Sequence, residues 1–205
     1  MDRNSLREIV HLVASLLVLT IAFSYPSTSI EALAIAAIGV GTGFLLHELA
    51  HKFTAQRYGY VADYEASPMG LVMAIGLSIA TGGNFVFAAP GAVMIRGKKV
   101  FYSPYEQYPN MEQTEKELAY ISVSGAVVNL ILATIFYISS NFVLAPGIAY
   151  DVLRTAAFIN VFLAGFNMIP FGPLDGAKVW RYNRMLWGMM MFLTIILFLK
   201  INRFF

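Results

Sequence analysis

Five long apolar runs, at 10–25, 32–51, 118–140, 152–170 and 185–199, leave this chain few ways to fold. A hydrocarbon core about 30 Å thick takes about 20 apolar residues of helix to cross. The first and last runs are short, but further apolar residues flank both. Composition agrees: 58% of the 205 residues are hydrophobic and 13% charged, where soluble domains carry roughly a quarter charged residues. We read an all-α membrane protein, a polytopic bundle of about 5–6 transmembrane helices filling one domain over 1–205.

Several classes are set aside at once. Tyr25-Pro26 closes the first run without a small-residue cleavage site, so that run is not read as a signal peptide. The chain has no cysteine, hence neither disulfides nor thiolate metal ligands. A net charge of +2 with no basic, aromatic-interleaved patch gives no reason to expect nucleic acid.

Lysine and arginine asymmetry sets the orientation. With a cytoplasmic N-terminus, eleven of these residues fall inside, in 1–9, 52–117 and 171–184. Only Arg154, Lys200 and Arg203 fall outside, and the outer loops 24–31 and 141–151 contain none. The expectation is a multi-pass protein of a prokaryotic cell membrane.

Segment 58–117 resists a simple assignment. Gly70–Ala80 is apolar but too short to span, and Gly82-Gly83-Asn84 breaks any helix. Phe85–Ala89 and Ala92–Ile95 flank Pro90-Gly91, which reads as a β-hairpin. Open strands cannot face lipid, because unpaired backbone groups there cost several kcal/mol each. Residues 70–95 are therefore expected to form a re-entrant or interfacial β-hairpin element that returns to the side it left. The stretch 96–117, with Tyr102, Pro104, Tyr105, Tyr108 and Pro109, reads as a surface loop ending in an acidic first helical turn at Glu112–Glu117.

The chemistry lies in His47-Glu48-Leu49-Ala50-His51. Helix positions i and i+4 share one face, so both imidazoles can reach one metal ion. Glu48 is then placed as a general base for a water that the metal acidifies. Three ionisable groups in an apolar helix cost about 2.5 kcal/mol each or more at mid-bilayer, which marks them as functional. Counting from Ala32 at about 1.5 Å per residue, His47 lies about 22 Å in, nearer the cytoplasmic edge.

A zinc protease site needs a third protein ligand. The metzincin continuation fails, since Thr54 and Arg57 occupy the positions of its glycine and third histidine. Asp63 and Glu65 follow the helix in a polar stretch; His11 reads as a packed or interfacial histidine, and Asp151 as a helix-start residue. Asp175 remains, closing Asn167-Met168-Ile169-Pro170-Phe171-Gly172-Pro173-Leu174-Asp175-Gly176. Two prolines and two glycines there unwind the chain and let a short aspartate turn inward. The competing account makes Asp175 a cap for a helix at 177–184. Parity favours ligation: 118–140 and 152–170 go out and back, so both motif ends share a side if 58–117 returns.

These two motifs together resemble the site-2 protease family of intramembrane metalloproteases, over about 32–184 of this chain. The resemblance implies one zinc ion on His47, His51 and Asp175, with Glu48 as catalytic base. It implies cleavage of transmembrane segments of other proteins within the lipid bilayer, with the active site towards the cytoplasm. Some relatives carry PDZ or CBS domains, which this sequence lacks, and it most resembles compact archaeal members. Many members have Gly-Pro where this chain has Gly125-Ala126. Asn167 resembles the family's active-site asparagine, whose amide would stabilise the oxyanion. Asn129 is a second catalytic candidate, and Asn160 reads more simply as a helix-joining hydrogen bonder.

Gly39, Gly41 and Gly43 suggest close helix packing just above the histidines. Met185, Met189, Met190 and Met191 read as lipid-facing or core packing, and Trp180 and Trp187 as interfacial anchors. An exposed strand edge in 85–95 could take up an extended substrate by strand addition. Two other functions compete. One is a metal or proton transporter using the same four polar residues as a relay, although transporters usually show repeats that are not visible here. The other is a non-catalytic binder of membrane helices. A homo-oligomer is left open.

Overall fold

The structure, a computed structural model, describes residues 3–98 and 111–202. Much of the expected surface loop, together with Lys99 and Arg203 from the charge count, lies outside the described residues. Five described helical spans are long and apolar enough to cross a membrane: Ser5–Ser24, Ile30–Arg57, Glu112–Ser140, Ile148–Asn167 and Arg184–Ile201. This is a mostly helical membrane protein, and the spans coincide with the five apolar runs.

Helix α1 covers Arg3–Ser24. The second span comprises α2 (Ile30–Val40), a π-helical turn at Gly41–Leu45 and α3 (Leu46–Arg57). Ser29 starts α2 by accepting the Ala32 N–H, one of the helix-end donors that lack an internal partner. Strand β1 (Tyr60–Ala66), the short helix α4 (Pro68–Ala80) and strand β2 (Gly91–Lys98) follow. The remaining elements are α5 (Met111–Ser140), α6 (Ile148–Asn167), α7 (Asp175–Tyr182) and α8 (Arg184–Ile201).

Two of the three glycines above the histidines set the packing of the second span. A Cβ on Gly39 would lie 2.6 Å from Ile159 Cδ1, and one on Gly43 2.7 Å from Leu163 Cδ1. One turn apart on one face, they let the span close onto α6. Gly41 faces nothing within 4 Å and plays no such part. Leu19, Val40, Phe44, Ile159, Leu163 and Phe166 form the largest buried cluster, joining α1, the second span and α6.

The chain between the second span and α5 does return to where it left. Strands β1 and β2 pair antiparallel with Ala66 opposite Gly91, and Ser67 N–H donates to the Pro90 carbonyl at 2.8 Å. The intervening α4 is capped by Ser67, which accepts the Gly70 N–H, and ends at Ala80, just before Gly82 and Gly83, both at positive φ. The strand partner differs from the expected hairpin. Residues 85–89 form no strand, and 91–98 pairs instead with 60–66 across the whole of α4. The reason is local. Pro90 cannot donate, and Gly91 is packed against Glu65 and the Tyr64 ring where no Cβ would fit, so the chain bends into register with β1.

Helix α1 covers the other edge of β1. Glu8 accepts the Tyr64 N–H at 3.1 Å, His11 Nδ1 accepts the Ala66 N–H at 3.3 Å, and Ser15 bonds the Tyr64 hydroxyl at 2.8 Å. His11 is thus a packed histidine, serving strand backbone that would otherwise be unpaired.

Candidate metal centre

The π-helical turn runs directly into α3, and the first turn of α3 carries His47 and Glu48. His47, Glu48 and His51 are all buried. The two imidazoles converge, with Nε2 of His47 and Nε2 of His51 2.8 Å apart. Asp175 is the first residue of α7. Its Oδ2 lies 2.9 Å from His51 Nε2 and 3.5 Å from His47 Nε2. Among the described residues these three form the one group whose ligand atoms all lie within 4.8 Å of one another.

The capping account of Asp175 fails on this geometry: α7 has no side-chain cap, Leu174 occupies its cap position, and the carboxylate turns to the imidazoles. Burial alone would push the Asp175 carboxyl up, but His51, His47 and Lys178 facing it hold it well below the usual carboxylate range. The other candidates are occupied elsewhere. Asp63 is 3.8 Å from Lys52 Nζ, and Glu65 pairs with Arg96. Asp151 sits in the first turn of α6, where a negative charge suits the helix dipole.

Helix α5 fixes the imidazoles from behind. The Ile121 carbonyl accepts from His51 Nδ1 at 2.7 Å, so Nε2 is left to face the metal position. Gly125, one turn on, lies against His47: a Cβ there would come 2.6–2.7 Å from three ring atoms. Sequence reasoning missed the Ile121 carbonyl, because backbone acceptors leave no signature in residue identity.

A cavity of about 400 Å³ opens beside the histidines, lined by Glu48, His51, Asn167, Asp175, Lys178 and the β2 segment Gly91–Ile95. Glu48 lines this cavity, and its Oε2 is buried without a hydrogen bond to any described protein group. Asn167 faces the cavity with one amide N–H on the Leu163 carbonyl at 3.0 Å. Asn129 is fully buried and does not line the cavity, and neither of its amide atoms makes a hydrogen bond to a described residue. Asn160 joins helices, donating to Thr42 Oγ1 at 3.4 Å and to the Ala156 carbonyl at 2.8 Å.

Two imidazoles and a carboxylate, converging and backed by a carbonyl acceptor, are a donor set suited to zinc. Comparison with known proteins agrees. Over 186 residues, covering 91% of this chain and 90% of the relative, the chain is 37% identical to "Putative zinc metalloprotease MJ0611" of Methanocaldococcus jannaschii. The chain belongs to this zinc metalloprotease family. A second protein of the same organism, "Zinc metalloprotease MJ0392", is 25% identical over 138 residues, which cover 67% of this chain and 30% of that longer protein. No family profile and no solved structure matches the chain.

Proposed function

We propose that this protein is an intramembrane zinc endopeptidase, holding one zinc per chain on His47, His51 and Asp175, that cleaves transmembrane segments of other membrane proteins in the bilayer. The reading is supported above all by the position of Asp175 Oδ2, which brings the start of α7 onto an imidazole pair carried within an apolar span. Zinc there would supply Lewis acidity, polarising the scissile carbonyl and acidifying a water.

The protein's own groups supply the rest. Glu48, which lines the cavity and has one oxygen without a hydrogen bond to a described group, takes the proton of the attacking water and returns one to the departing amide nitrogen. The second amide N–H of Asn167 is the group for the oxyanion, worth about 3–4 kcal/mol where such donors are removed from acyl-transfer enzymes. A helical substrate hides its carbonyls and must first be extended. Strand β2 offers its outer edge along the cavity, whereas the outer edge of β1 is closed by Glu8 and His11. The apolar helices around the centre and the arginine and lysine asymmetry support placing it towards the cytoplasm of a prokaryotic cell membrane.

The test uses purified protein, a model transmembrane substrate and the variant Glu48→Gln. Retained zinc with cleavage lost supports the protease. Cleavage that survives the substitution overturns it, as does ion flux in liposomes with cleavage by neither form, the outcome a transporter would give.

A further inference from the structure

Lys178 takes no part in the chemistry proposed above. It lies three residues after Asp175 on α7, and its Nζ is 3.3 Å from Asp175 Oδ1. Asp175 therefore divides its two oxygens, Oδ2 to the imidazoles and Oδ1 to the lysine. Lys178 also lines the cavity that holds Glu48 and Asn167.

The backbone beneath this pair is fixed. Gly176 packs so closely under Met168 and Ile169 that an added Cβ would lie 2.7 Å from the Ile169 carbonyl. Trp187 Nε1 on α8 donates to the Met168 carbonyl at 2.7 Å and ties down the other side of that turn. What remains to be set at Asp175 is the rotation of its carboxylate, because Leu174 and not Asp175 holds the cap position of α7, where a capping bond would fix the side chain.

We propose that Lys178 is a positioning residue that holds Asp175 Oδ1, so that the carboxylate presents only Oδ2 to zinc. The inference rests on the zinc reading above. Catalytic zinc sites use three protein ligands and leave a further position for water. A carboxylate free to rotate could offer both oxygens and fill that position. Lys178 prevents this by engaging the second oxygen.

The coordination number separates this role from a simple field effect. A cation near a metal ion repels it, so if charge were all that mattered, removing Lys178 would tighten zinc and leave four-coordinate geometry unchanged. A positioning role adds a change of geometry, because the freed Oδ1 then reaches the metal.

The experiment measures zinc affinity by chelator competition, and the visible spectrum of the cobalt-substituted protein, for wild type, Lys178→Met and Lys178→Arg. The side chain of Lys178 is 43% exposed, so methionine fits without disturbing the core. Lys178→Met is expected to lower the intense four-coordinate cobalt bands without weakening zinc, as Oδ1 joins the metal's ligands, and Lys178→Arg to restore them. A wild-type cobalt spectrum in Lys178→Met overturns the proposal, whatever happens to zinc affinity or cleavage. So does the same loss of the bands in both variants. Wild type that takes up neither metal would instead sink the zinc reading itself.

Discussion

The Oδ2 of Asp175 lies 2.9 Å from Nε2 of His51, although the two residues belong to different helices far apart in the chain. That proximity depends on the excursion between the second span and α5, which leaves beside Ala66 and comes back beside Gly91. It depends equally on the unwound turn after α6, which delivers Asp175 as the first residue of α7.

Gly125→Ala should damage the metal centre without touching a ligand. The new Cβ would lie 2.6–2.7 Å from three ring atoms of His47, so either the ring or α5 must move. Zinc affinity is expected to fall on the order of 10- to 100-fold, as it does when the surroundings of a ligand are altered. Chelator competition checks this. Unchanged affinity would mean that α5 gives way instead.

Gly176→Ala should act on the third ligand. There is no room for its Cβ beneath Met168 and Ile169, so the start of α7 is pushed away from the imidazoles. Zinc affinity should drop more than thermal stability in detergent does. A variant that binds zinc like wild type would show that Asp175 is not held by this contact.

Glu8→Ala should loosen the sheet while sparing the metal. Glu8 accepts from Lys52 through both oxygens at 2.6 Å and from the Tyr64 N–H at 3.1 Å. Hydrogen bonds to charged groups are worth about 1.5–3 kcal/mol, so a loss of about 2–3 kcal/mol is expected. Thermal unfolding gives the stability, and zinc content should be unchanged. If zinc is lost with it, α1 supports the centre as well as the strand.

A charge placed at Phe87 or Val93 should reduce cleavage with zinc retained, because both side chains line the cavity beside the metal centre. The same change at Val86, which is buried and outside the cavity lining, should show as instability instead. Wild-type cleavage by the Phe87 and Val93 variants would remove β2 as the substrate-holding edge.

Much of this arrangement is legible in the sequence, and the parts that are not have physical reasons. The spans follow from apolar length alone, and the i, i+4 spacing of His47 and His51 states their shared face. Asp175 is reachable because prolines and glycines announce an unwound turn. The strand pairing is not legible, since Phe85–Ala89 is apolar and strand-like yet packs against Phe162 and Phe166 as coil. The true partner, Tyr60–Ala66, hides its alternation of buried Ala62 and Tyr64 behind the charges of Asp63 and Glu65. Contacts such as Lys178 with Asp175, or the Ile121 carbonyl with His51, involve groups common anywhere and emerge only from the packed structure.

The central claim is a metal held jointly by α3 and α7, and metal analysis of purified wild type beside Asp175→Ala and His51→Ala tests it most directly. The account predicts about one zinc per chain for wild type, from its single three-ligand cluster among the described residues, and little or none for either variant. Zinc at wild-type levels in Asp175→Ala, or no zinc in wild type, would contradict it.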